Sequence, residues 1–82
     1  MAQPILQVLV TGVDRVWFSG SATRVICPGE QGTFEVLPLH RPLVSRLGSG
    51  VVAIDDRELP IRRGVMRVAD DIVTVVIETG GG

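Results

Sequence analysis

Short runs rich in apolar and β-branched residues, cut by glycine, proline and polar turns, follow one another along most of this chain, the pattern of extended strands. Leu6, Val8 and Val10 fall on one face of residues 5–11 and predict a first strand. Gly12 interrupts it, and residues 16–18 form a short second strand that ends at Ser19-Gly20. Residues 22–27 are a third, stopped by Pro28-Gly29, a dipeptide suited to a tight turn. Residues 32–37 are a fourth, closed by Pro38, which has no N–H to give a central ladder. Residues 39–47 hold His40, Arg41 and Pro42 and read as a loop running into a short edge strand. Residues 50–54 and 59–62 flank the polar turn Asp55-Asp56-Arg57-Glu58, and residues 65–68 and 72–78 flank Ala69-Asp70-Asp71. No stretch of a dozen residues repeats its apolar positions at the helical period, and there is no internal repeat. Short strands punctuated at roughly eight- to twelve-residue intervals imply an all-β fold, read as a sandwich.

Composition strengthens this reading and adds a question. Valine occurs fourteen times, and branching at Cβ suits a pleated surface better than a helix. Of 82 residues, 45% are apolar, more than one small core needs. The surplus fits either a dense two-layer core or a surface that a partner covers. Several strands are apolar on both faces, as expected where the outer side of a sandwich is partly covered. The formal charge of −1 gives no argument for nucleic acid or an anionic membrane surface. All eight basic residues are arginine. No apolar run approaches the roughly 18 residues that span a bilayer, and Met1-Ala2-Gln3-Pro4 lacks the basic start of a signal peptide. A soluble, cytoplasmic protein without bilayer insertion is the expectation.

Candidates for chemistry are few. His40 and Cys27 are the single histidine and cysteine, too few for a zinc site or an internal disulfide. A Cys27–His40 nucleophile pair would need a partly exposed, electropositive thiol, whereas Cys27 lies in an apolar strand. No serine sits in a Gly-x-Ser-x-Gly elbow. The pairs Asp55-Asp56 and Asp70-Asp71 fall in turns, where carboxylates are solvated or bonded to backbone amides. No glycine cluster opens a helix that could cradle phosphate. Arg41, Arg46, Arg62, Arg63 and Arg67 make either a mixed surface or a patch for an acidic partner protein. Trp17, Phe18 and Phe34 are not interleaved with them as single-strand nucleic-acid binding requires. The chain is expected to be non-catalytic and to need no cofactor or metal.

From residue 18 to residue 43 the spacing is distinctive. Phe18-Ser19-Gly20 is followed after seven residues by Pro28-Gly29, then Gly32, Phe34 and Val36-Leu37-Pro38-Leu39-His40-Arg41-Pro42-Leu43. This order resembles the N-terminal domain of the epsilon subunit of F-type ATP synthases, with Phe-x-Gly, Pro-Gly-x-x-Gly and a Leu-Pro-x-His-x-Pro-Leu stretch. Gly50-Val51-Val52-Ala53-Ile54 and Gly64-Val65-Met66-Arg67-Val68 resemble later blocks, so the likeness runs from about residue 5 to residue 78.

The resemblance implies a flattened sandwich of two roughly five-stranded sheets over residues 1–79, with residues 80–82 a flexible glycine tail. It implies a non-catalytic central-stalk subunit that couples the gamma subunit to the membrane rotor ring, at the cytoplasmic face of a bacterial inner membrane. It assigns Glu30, Gln31, Gly32 and Thr33 to the ring contact, and Pro38, His40, Arg41 and Pro42 to a loop near gamma and the ring. Family members continue into a helical hairpin that this sequence lacks, so no extending inhibitory arm is expected. Glu35, Arg41 and Arg62-Arg63 depart from the family pattern and bear on the partner surface. A generic β-sandwich interaction module, alike by chance, is the alternative.

Overall fold

A computed structural model describes residues 4–80. Gly81 and Gly82 of the expected tail, and Met1 to Gln3, lie outside the described residues. Nine strands follow one another: β1 Leu6–Thr11, β2 Val16–Ala22, β3 Val25–Gly29, β4 Gly32–Val36, β5 Leu43–Leu47, β6 Gly50–Ile54, β7 Arg57–Ile61, β8 Arg63–Ala69 and β9 Ile72–Glu78. Among the described residues there is no helix.

The pairing is one continuous sheet, in the order β2-β1-β9-β8-β5-β3-β6-β7 with β4 on the free side of β3. It divides into a five-stranded layer, β2-β1-β9-β8-β5, and a four-stranded layer, β4-β3-β6-β7. Only the pair Gly29↔Leu47 joins β3 to β5, so the sheet curls over at that corner. The expected all-β sandwich is therefore present, with its two layers continuous along one edge. Leu6, Val10, Val25, Val52, Met66 and Val75, drawn from both layers, are fully buried between them. β1 runs parallel to β9, while the other pairs are antiparallel.

Several boundaries move, each for a local reason. β2 continues through Ser19-Gly20 to Ala22, because it borders β1 and is carried by that pairing (Val8↔Gly20, Leu6↔Ala22) whatever its own propensity. β3 includes Pro28-Gly29, and the turn falls one step later on Glu30-Gln31. Pro28 is tolerated in an interior strand because it sits at the corner. There the neighbour of β3 changes from β6 (Ile26↔Ala53) to β5 (Gly29↔Leu47), so a missing N–H breaks no ladder bond. The Pro28 carbonyl still accepts from the Gly48 amide at 2.9 Å. Arg57 and Glu58 belong to β7 and leave Asp55-Asp56 as a two-residue turn.

The aspartate turns hold the ends of the sandwich together. Asp70 and Asp71 both have positive φ, 53° and 61°, as a type I′ hairpin requires at both central positions. Asp55, at φ 51°, sends its carboxylate to a distant segment. It accepts from the Thr23 hydroxyl at 2.7 Å and from the Thr23 and Arg24 amides at 3.0 and 3.1 Å. The Thr23 hydroxyl foremost, helped by both amides and the Arg24 charge, holds this carboxyl below the usual aspartate value. A folded value below the unfolded one stabilises the fold above the ordinary aspartate range and loses that contribution as the pH falls through the folded value. Asp55→Asn should accordingly melt below the wild type at neutral pH, with the gap closing on acidification. Thermal melts of both proteins over an acid titration measure this.

Candidate functional site

The residues predicted to meet a partner fall in two places. Glu30 and Gln31 form the tip of the β3–β4 hairpin, with Gly29 paired to Gly32 at its base. Gly32 has φ 131°, a backbone that side chains with a Cβ rarely adopt, so its identity fixes how the tip leaves the sheet. The tip is tied across the corner, since the Glu30 amide donates to the Arg46 carbonyl at 3.3 Å. Glu30, Gln31, Gly32 and Thr33 form one wall of an open groove of about 510 Å³, and Leu43, Val44, Ser45 and Arg46 of β5 form the other. Of the β5 wall, Leu43 ends the Leu-Pro-x-His-x-Pro-Leu stretch and Arg46 belongs to the candidate arginine patch, while Val44 and Ser45 carried no signal.

Pro38, His40, Arg41 and Pro42 lie in the connection from β4 to β5, and none of them lines that groove. The connection is a tight turn in which the His40 amide donates to the Leu37 carbonyl at 3.2 Å. Pro38 takes the second position of this turn, where its fixed φ is favourable. Leu39 takes the third, with φ 70°, as the third position of a type II turn demands. A carboxylate oxygen of Asp71 accepts from the Leu39 amide at 2.6 Å. Nδ1 of His40 lies 2.6 Å from the Arg41 carbonyl, so the ring is turned onto its own loop.

Cys27 is fully buried, and burial pushes its thiol up to about 12. Among the described residues no hydrogen bond joins it to His40, and no three His, Cys, Asp or Glu side chains cluster as metal ligands would. Cys27 should resist alkylation in the native protein and react at the rate of unfolding, which a timed thiol assay with and without denaturant reads directly.

The family model described as ATP synthase, Delta/Epsilon chain, beta-sandwich domain matches residues 5–80. The chain belongs to this family. Likeness by chance, as a generic sandwich, is thereby set aside. Curated relatives include the ATP synthase epsilon chain of Leptospira borgpetersenii, 32% identical over 79 residues, covering 92% of this chain and 62% of the relative. The epsilon chain of Bordetella petrii is 35% identical over 79 residues, covering 90% of this chain and 56% of the relative. The chain thus spans about three fifths of the length of these epsilon chains.

Two solved structures share the fold of the epsilon-family sandwich. One is a chain of the Euglena gracilis mitochondrial ATP synthase (OSCP/F1/c-ring), with TM-score 0.82 and 17% identity, covering 94% of this chain and 52% of that one. The other is a chain of the Tetrahymena thermophila mitochondrial ATP synthase central stalk and c-ring, with TM-score 0.73 and 8% identity, covering 95% and 66%.

Within this family the departures acquire a structural reading. Glu35 lies exposed on β4 and faces Arg24, with 3.5 Å between Nη1 and Oε2, so its charge is answered inside the chain by a weak surface pair. Arg63 is likewise held by Glu78 at 2.8 Å. Arg46 and Arg67 stand on neighbouring strands of the outer face of the five-stranded layer, beside exposed Val44 and Val65. Part of the excess apolar content lies there, since Leu9, Val44, Val65, Ile72 and Val76 all face outward from that layer. Two further arginines lie over aromatic rings, Arg15 at 4.2 Å from Trp17, two residues along the chain, and Arg57 at 5.7 Å from Phe18, a contact between β7 and β2 that the sequence did not reveal.

Proposed function

We propose that this chain is the sandwich of a non-catalytic central-stalk subunit that couples the gamma subunit to the membrane rotor ring of a bacterial F-type ATP synthase. It would act as a peripheral part of that complex on its cytoplasmic side, during ion-driven ATP synthesis or hydrolysis. The observation that carries this is the family match from residue 5 to residue 80, which includes both predicted contact segments. The geometry agrees with it. A polar hairpin tip, Glu30-Gln31, is suited to the polar loops of a ring. A stiff loop with an apolar outer residue, and a sheet face mixing valines with arginines, suit a second protein surface.

Reconstitution tests the proposal. Membranes carrying the cognate synthase stripped of this subunit should regain ATP-driven ion pumping when the purified chain is added, and the chain alone should hydrolyse no ATP. A hairpin variant, Glu30→Arg with Gln31→Arg, should keep its fold and restore less pumping. Undiminished rescue by this variant would argue against the ring contact.

A further inference from the structure

Leu39 combines two properties that stability alone does not explain. It is 81% exposed, and its backbone sits at φ 70°, a region where a residue with a Cβ is disfavoured and glycine or asparagine is the ordinary choice. Strained backbone of this kind persists only where the surroundings over-determine it, and they do so here. Pro38 fixes the preceding φ, the His40 amide closes the turn onto the Leu37 carbonyl, and the Asp71 carboxylate takes the Leu39 amide at 2.6 Å. Asp71 is itself anchored, since its carbonyl accepts from the Gln7 amide at 2.8 Å and it occupies the β8–β9 hairpin turn. The loop therefore has its conformation set by the far end of the five-stranded layer. Leu37 in the same turn is 48% exposed and Ile72, next to Asp71, is 54% exposed, so further exposed apolar residues adjoin the two bonded segments in sequence.

We infer that Leu39 is a preset anchor for the gamma subunit and that Asp71 is the positioning residue that holds it in the binding conformation. This rests on the function proposed above and assigns to gamma a residue outside the four loop positions that the family motif marks. A leucine offers no polar group to a ring loop, whereas Glu30, Gln31 and Thr33 do. Its complement is an apolar hollow that excludes water, and holding the loop in its bound shape beforehand removes an ordering cost from association.

The test is a double-mutant cycle on the full chain, titrated against the cognate gamma subunit. Leu39→Gly should melt at or above the wild-type temperature, because glycine relieves the strained φ, yet bind gamma about tenfold to a hundredfold more weakly, as loss of a buried leucine implies. Leu39→Met, which restores an apolar side chain, should bind close to wild type. Asp71→Gly removes the carboxylate while tolerating the positive φ of that site. It should speed hydrogen exchange at the Leu39 amide and weaken gamma binding. In the Leu39→Gly background it should weaken binding no further, because Asp71 acts through Leu39. Asp71→Asn keeps an acceptor oxygen and should retain most of the affinity.

Wild-type affinity in Leu39→Gly, or an undiminished effect of Asp71→Gly in its background, would overturn the inference and leave the proposed function standing. A folded wild type that binds no gamma would overturn both.

Discussion

Gly64→Val should abolish the folded state. A Cβ placed on Gly64 would stand 2.5 Å from the Val76 carbonyl oxygen and 3.3 Å from the Ile77 Cα, and neither backbone atom can swing aside as a flexible side chain would. Gly64 lies in β8, between Leu47 of β5 and Ile77 of β9, so room can be made only by pushing β9 away. β9 also carries the parallel pairing with β1, and moving it opens the centre of the five-stranded layer. Overpacking a core costs about 1–3 kcal/mol when side chains can yield, and more when they cannot. A domain of this length has only about 4–12 kcal/mol in total. Circular dichroism and a thermal melt decide the matter. Loss of the cooperative transition is expected, and a melt near the wild-type temperature would show that β8 and β9 are not packed as described. Gly64→Ala brings the same Cβ against the Val76 carbonyl and should also be severely destabilised.

Met66→Ala should be the most informative loss of core volume. Met66 is fully buried at the middle of β8, paired with Ser45 and Val75, and truncating a buried methionine costs about 2–5 kcal/mol. Urea unfolding should show a lower midpoint with an unchanged slope, the sign of a stability change without a change in the exposed surface. Val44→Ala on the outer face of the same layer, where Val44 is exposed, should change the unfolding free energy by no more than about 0.5 kcal/mol. The contrast separates the face that holds the domain together from the face left free for another protein. Equal losses at both positions would mean that the layer is buried on both sides in the isolated chain.

Much of the fold was legible because it is local. The alternation of Leu6, Val8 and Val10 marks the buried face of β1, and the two aspartate pairs mark hairpin turns. β5 was expected as an edge strand, whereas it pairs with β8 along its length and with β3 at the corner residue Leu47. What was hidden depends on contacts distant in sequence. Nothing in residues 6–11 or 72–78 announces that they run parallel. Ser19-Gly20-Ser21 has little strand propensity of its own and is extended because β1 lies beside it. Pro28-Gly29 looks like a turn unless the change of neighbour from β6 to β5 is known.

The candidate site shows the same division. Glu30, Gln31, Gly32 and Thr33 share one wall of a groove and were named from their motif, while Val44 and Ser45 of the opposing β5 wall carry no signal. Pro38, His40, Arg41 and Pro42 do lie together in one stiff loop, yet the exposed Leu39 between them was passed over. A leucine gives no sequence signal of left-handed backbone. Asp71 was read as a turn residue, and its bond to the Leu39 amide joins segments 32 residues apart.

The function proposed for this sandwich requires that it bind a gamma subunit. Calorimetric titration of the purified, folded chain with the cognate gamma subunit tests it most directly. A saturable one-to-one complex, weakened by Leu39→Gly and unaffected by Cys27→Ser, is the predicted result. No detectable heat and no co-elution, from a chain whose cooperative melt shows it to be folded, would contradict it.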